Sequence, residues 1–122
     1  MNTNTKQYDL EARTMKFSED IIEFLRKIKK DIINAPLINQ LVRSATSIGA
    51  NYCEANGACS KKDFKNKIYI CKKEAKESKY WIQLIGKANV EVAEECKIHL
   101  KEVQELILIF SKIVQTIEKQ EN

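Results

Sequence analysis

Apolar residues recur in steps of three and four through most of this chain, a spacing that allows few folds other than packed helices. Cys96, Leu100, Val103, Ile107, Phe110, Val114 and Ile117 alternate steps of four and three without a break. At ~100° per residue such positions fall on one side of an α-helix. Leu37, Leu41, Ala45, Ile48, Tyr52 and Ala55 make a second line, and Phe64, Ile68, Cys71, Ala75, Ser78, Ile82 and Ile85 a third. A fourth runs through Leu10, Thr14, Phe17, Ile21, Phe24, Leu25, Ile28 and Ile32. Three glycines and one proline in 122 residues leave room for long helices and little for β-turns.

These lines predict helices over about Tyr8–Ile32, Pro36–Asn56, Ser60 to beyond Ile85, and Val92–Ile117. Asn34-Ala35-Pro36 ends the first, because a residue before proline is pushed out of the α region while proline suits a first helical turn. Asn56-Gly57 is a stop signal, since both residues accept the left-handed conformation. Ser60-Lys-Lys-Asp63 opens the third helix with a pattern close to a capping box. Gly49 in mid-helix costs about 1 kcal/mol against alanine, which a close helix–helix approach would explain. Short connections give an all-α fold, an antiparallel up-down-up-down four-helix bundle. Residues 1–122 then form a single domain, with ends expected to fray over about 1–7 and 119–122.

The formal charge of +4 and pI of 8.8 permit contact with nucleic acid without requiring it. No apolar run approaches the ~20 residues of a membrane span, so no membrane partner is expected. Without a leader-like apolar segment, the chain is expected in the cytoplasm. Four cysteines (Cys53, Cys59, Cys71 and Cys96) contain no C-x-x-C pair and are expected to be small buried hydrophobes.

Helical bundles can carry di-iron sites, which need Glu-x-x-His pairs. The single histidine, His99, has Cys96 three residues before it, so no metal site is expected, and His99 is expected at the surface or a boundary. Glu54, Glu74 and Glu77 could serve as acid–base groups, but pairing with Arg43, Lys67 or Lys73 is the simpler use. Neither a Gly-x-Ser-x-Gly motif nor a glycine-rich phosphate loop is present. No catalytic residue and no cofactor is expected, and the chain does not read as an enzyme.

Between Ser60 and Tyr80 there are eight lysines and three acids. Lys61, Lys65, Lys72, Lys76 and Lys79 form one stripe, bordered by Tyr69 and Tyr80. Lysines with neighbouring aromatic rings can hold a phosphate backbone and stack bases, so Lys61, Lys65, Tyr69, Lys72, Lys76 and Lys79 are candidate RNA or DNA contacts. A solvated helix face would carry the same lysines. The apolar sectors of the third and fourth helices are wider than a lone bundle needs. Ile70, Trp81, Leu84, Leu108 and Ile109 are therefore candidates for contact with further copies or another protein partner. The alternative is a monomer with scattered exposed apolar residues.

The blocks that carry most of these features resemble a known family. Arg43-Ser-Ala-Thr-Ser-Ile-Gly-Ala-Asn-Tyr52 followed by Glu54-Ala55 is similar to the signature of the bacterial four-helix bundle proteins, also called 23S rRNA intervening-sequence proteins or the S23 family. Asp63-Phe64, the block Lys73-Glu-Ala-Lys-Glu-Ser-Lys-Tyr-Trp81, Asp9-Leu10 and Arg13-Thr14 extend the likeness over nearly the whole chain. The resemblance implies an antiparallel four-helix bundle assembled as a ring-like homopentamer, with no established catalytic residues. Some genes of the family lie inside intervening sequences of 23S ribosomal RNA genes, and many stand alone. A distant relative, the accessory protein of diversity-generating retroelements, is a basic pentamer that binds nucleic acid and a reverse transcriptase. Asn51-Tyr-Cys-Glu-Ala55 departs from the commoner Asn-Ile-Ala-Glu-Gly and looks like a subgroup.

Overall fold

The computed structural model describes residues 5–121, with side chains from Leu10 onward. Four helices follow one another: α1 (Thr5–Arg26), α2 (Asn34–Asn56), α3 (Lys61–Ala88) and α4 (Ala93–Glu121), with a 3-10 turn at Val90–Val92 before the last. No strand occurs among the described residues. The expected frayed end at 1–7 lies partly outside them, as does Asn122, while α4 remains helical to Glu121.

The helices enclose one core. Phe17, Ile21, Phe24, Leu41, Ile48, Ile68, Ile82, Ile85, Leu106 and Phe110 are fully buried within it. Each stabilises the fold by roughly 1.5–3 kcal/mol through removal from water. The four-three lines supply nearly all of these residues, with Leu37, Phe64, Leu100 and Ile117 half-buried at their ends. α1 meets α2 through Ser18 on the Ala45 carbonyl and Asn56 on Glu11. α2 meets α3 through Ser44–Ser78 and Cys71 on the Ile48 carbonyl. α3 meets α4 through Lys79–Gln104 and Lys65–Glu121. Along each pair the numbers rise on one helix as they fall on the other.

Gly49 marks a close approach. A Cβ there would stand 3.2 Å from Thr14 Oγ1 and 3.3 Å from Thr14 Cβ. Gly57 ends α2 at the expected place but by a different route. Its φ of −100° is not left-handed, and Gly57 and Ala58 close the helix by donating to the Glu54 and Ala55 carbonyls. Ser60 caps α3 through its side chain, which accepts from the Asp63 N–H at 3.0 Å.

α1 stops at Arg26, six residues short of the expected Ile32. Lys27 and Ile28 tighten its end by donating to the Phe24 and Leu25 carbonyls. Asp31 then gathers the N–H groups of Ile33 and Asn34 on one carboxylate oxygen and accepts from the Ala35 N–H through its carbonyl. This local capping satisfies the backbone better than two more helical turns that would end at a proline. Ile28 stays buried, but Ile32 is 90% exposed.

Two further expectations are corrected. His99 is buried, 8% exposed, because the Phe24 ring lies 4.8 Å from it and Glu95, bridged to Lys27, closes over the same seam. Cys71 and Cys96 are buried as expected. Cys53 and Cys59 are exposed, one off the core line of α2 and the other in the α2–α3 turn.

Candidate functional site

α3 carries most of the candidate contact residues, and its packing sorts them. Its core line faces inward, α2 lies along one flank and α4 along the other. Lys65 Nζ sits 2.9 Å from both carboxylate oxygens of Glu121, and Lys79 Nζ 2.9 Å from Gln104 Oε1. Tyr69 donates its hydroxyl to Glu118. These three side chains thus tie α3 to α4. The hydrogen bond to Glu121 raises the Lys65 ammonium above its usual pKa, and that to Glu118 does the same for the Tyr69 phenol. Lys61 and Lys76 are exposed and Lys72 half-buried, none with an ion-pair partner among the described residues.

The outward face of α3 is rotated away from the lysine stripe. Lys62, Tyr69, Lys73, Lys76, Tyr80 and Lys87 follow one another at steps of seven, four, three, four and seven along it. All but Tyr69 are exposed, Tyr80 by 55%. Lys62, Lys73, Lys76 and Lys87 have no ion-pair partner among the described residues. Their span of 25 residues is about 38 Å at ~1.5 Å per residue. The acids of α3 lie elsewhere: Arg43 on α2 holds Glu77 at 2.6 Å and Glu74 at 3.3 Å. Lys67 turns toward α2 to hold Glu54 at 2.8 Å. The signal for this outward line was present in the sequence, opposite Ile68 and Ile82, but a stripe chosen from lysine spacing alone leans toward α4.

The candidate contact residues for further copies are less uniform than their spacing suggests. Leu108 is 59% exposed, while Ile70, Trp81, Leu84 and Ile109 are half-buried. Trp81 packs edge-on against Tyr80 at 4.9 Å. Its indole N–H is buried yet meets no acceptor among the described residues. Beside Leu108, a groove of 1380 Å³ opens between α1 and α4 over Leu10, Tyr52, Phe64, Ile109, Ile113 and Ile117. Arg13 spans its rim with a forked pair of bonds to Glu102 at 2.7 and 2.9 Å and a third to Glu105 at 2.5 Å. Both glutamates raise the arginine pKa, Glu102 more strongly.

Glu54, Glu74 and Glu77 each answer a cation on a neighbouring helix. No three His, Cys, Asp or Glu side chains converge among the described residues. Burial pushes the Cys71 thiol up to about 12 and the Cys96 thiol up to about 11, the direction opposite to an activated nucleophile.

Comparison with known proteins agrees with this fold. A crystal structure of a protein with unknown function from the S23 ribosomal protein family of Bacteroides thetaiotaomicron superposes with a TM-score of 0.76. It is 29% identical, over 85% of this chain and 96% of that one. No curated protein matches the chain. The profile of the 23S rRNA-intervening sequence protein family matches residues 6–112, the span from α1 to within α4. The chain belongs to the 23S rRNA-intervening sequence protein family.

Proposed function

We propose that this protein is a non-enzymatic helical-bundle module of the cytoplasm that contacts RNA or DNA through the outward face of α3. The observation that carries the reading is the row Lys62, Lys73, Lys76 and Lys87, unpaired among the described residues, with Tyr80 exposed within it. Such a row can neutralise phosphates along a strand while the phenol ring stacks on a base. Lys61 and Lys72 extend it toward α4, whereas Lys65, Tyr69 and Lys79 serve the fold first. The reading takes the bundle as antiparallel, up-down-up-down, which the opposed numbering of each successive helix pair supports.

The same reading makes the protein a homo-oligomer, a pentamer as the family resemblance implies. The exposed Leu108 favours this, since a neighbouring copy could cover it. A second reading, a protein-binding adaptor without nucleic acid, draws on the apolar groove between α1 and α4.

Light scattering coupled to size exclusion, with and without a generic RNA at two salt concentrations, tests both. An assembled particle that gains mass with RNA at low salt and loses it at high salt is the expected result. An assembly indifferent to RNA moves the function to the adaptor, and a monomer removes the oligomer.

A further inference from the structure

Three of the large apolar side chains most exposed to water gather at one end of the molecule. Ile32 is 90% exposed, Ile33 61% and Val90 80%. They come from two connections, α1–α2 and α3–α4, that are locked together beneath them. Asn34 and Asn89 exchange side-chain hydrogen bonds of 2.9 Å in both directions. The second N–H of each amide goes to a carbonyl, that of Lys29 at 2.8 Å and that of Ile85 at 3.0 Å. Both side chains are buried, Asn34 at 2% and Asn89 at 5% exposure. The tip is thus a fixed display of aliphatic groups, and scattered surface apolarity does not account for it.

Its charge leans positive, three lysines standing against the carboxylates of Asp31 and Glu91. Lys29, Lys30 and Lys87 are exposed beside the tip and pair with no acid among the described residues. Asp31 holds the N–H groups of Ile33 and Asn34 and keeps its negative charge, and Glu94 is bridged to Lys97. Glu91 is the acid left unpaired there among the described residues. A convex tip of aliphatic side chains flanked by lysines suits a medium that deforms around it and carries negative charge at its boundary.

We propose that this end of the bundle docks on an anionic lipid surface. Ile32, Ile33 and Val90 enter the boundary between headgroups and acyl chains, and Lys29, Lys30 and Lys87 meet lipid phosphates. The contact is peripheral, since no described helix is long and apolar enough to cross a membrane. The absence of a spanning segment suggested no membrane partner, but that argument does not reach a docking tip. Ile32, placed in the core by its spacing, gave no sign of one. The proposal stands apart from nucleic-acid contact; only Lys87 borders both surfaces, so the tests leave it unchanged.

Flotation with phosphatidylcholine vesicles, with and without phosphatidylglycerol, tests the proposal on the full chain. The wild type is expected to float with the anionic vesicles only. Replacing Ile32, Ile33 and Val90 together by serine should lower that partition at least about tenfold. Lys29→Gln with Lys30→Gln should lower it about thirtyfold, each lysine near an anionic surface contributing about fivefold. Lys73→Glu with Lys76→Glu should retain flotation, and thermal melts should match the wild type in every variant. A wild type that does not float overturns the proposal, as does a serine variant that floats equally well. A serine variant that changes assembly mass without vesicles makes the tip a contact between copies, which also overturns it.

Discussion

Gly49 and Gly57 lie two turns apart and answer to different constraints. A methyl at Gly49 presses on Thr14, whose hydroxyl is already bonded to the Leu10 carbonyl at 2.9 Å and cannot easily give way. Gly49→Ala should therefore destabilise the fold by about 1 kcal/mol despite its better helix propensity. Gly57→Ala has a permissive φ and its nearest atom at 3.9 Å, so it should be neutral or stabilising by about 0.5 kcal/mol. Urea unfolding of the two variants separates them. The thiols divide as cleanly. Iodoacetamide at neutral pH should modify Cys53 and Cys59 in the native protein, and Cys71 and Cys96 only after denaturation; mass spectrometry reads the sites. Lys27, and then His99, lower the Glu95 carboxyl below its ordinary value. Since the folded value is the lower one, this stabilisation is present above the usual carboxylate range and fades as the pH falls through the depressed value. Lys27→Met should flatten that acid-side loss, modestly because the pair is partly exposed. Indistinguishable unfolding midpoints at pH 6 and 3 would contradict the assignment.

At the scale of the helices, the two connecting ends carry most of what spacing alone could not foretell. Removing one member of the Asn34–Asn89 pair strands a buried amide, so Asn34→Ala or Asn89→Ala should cost about 1–3 kcal/mol. The double variant should cost less than the sum, which a double-mutant cycle on urea midpoints reads directly. Helix identity, the core lines and the approach at Gly49 were legible because side-chain periodicity and a helix interface obey the same geometry. The end of α1 was not, because Asp31 holds the backbone N–H groups that open α2, a contest periodicity does not register. His99 lay one step beside the α4 core line, and only the seam with α1 made that flank interior. The outward face of α3 was half legible. Its residues were in view, but whether a lysine points to solvent or to Glu121 depends on where α4 lies.

For the whole molecule, the proposed assembly and the proposed nucleic-acid contact can be tested apart. Trp81→Asp and Ile109→Asp should each reduce the assembly to a helical monomer, read by light scattering and circular dichroism. A variant that unfolds instead places that residue in the core of a single chain. The most direct test of the central claim is the affinity for a labelled generic RNA measured across salt concentrations. Lys62→Glu/Lys73→Glu/Lys76→Glu would be set against a charge-matched control on α4, Lys101→Glu/Lys112→Glu/Lys119→Glu. The α3 variant should lose most of the binding and flatten the log–log salt slope by roughly 2–3, while the α4 control keeps both. Equal losses in the two variants, or a wild type that does not bind, would contradict it.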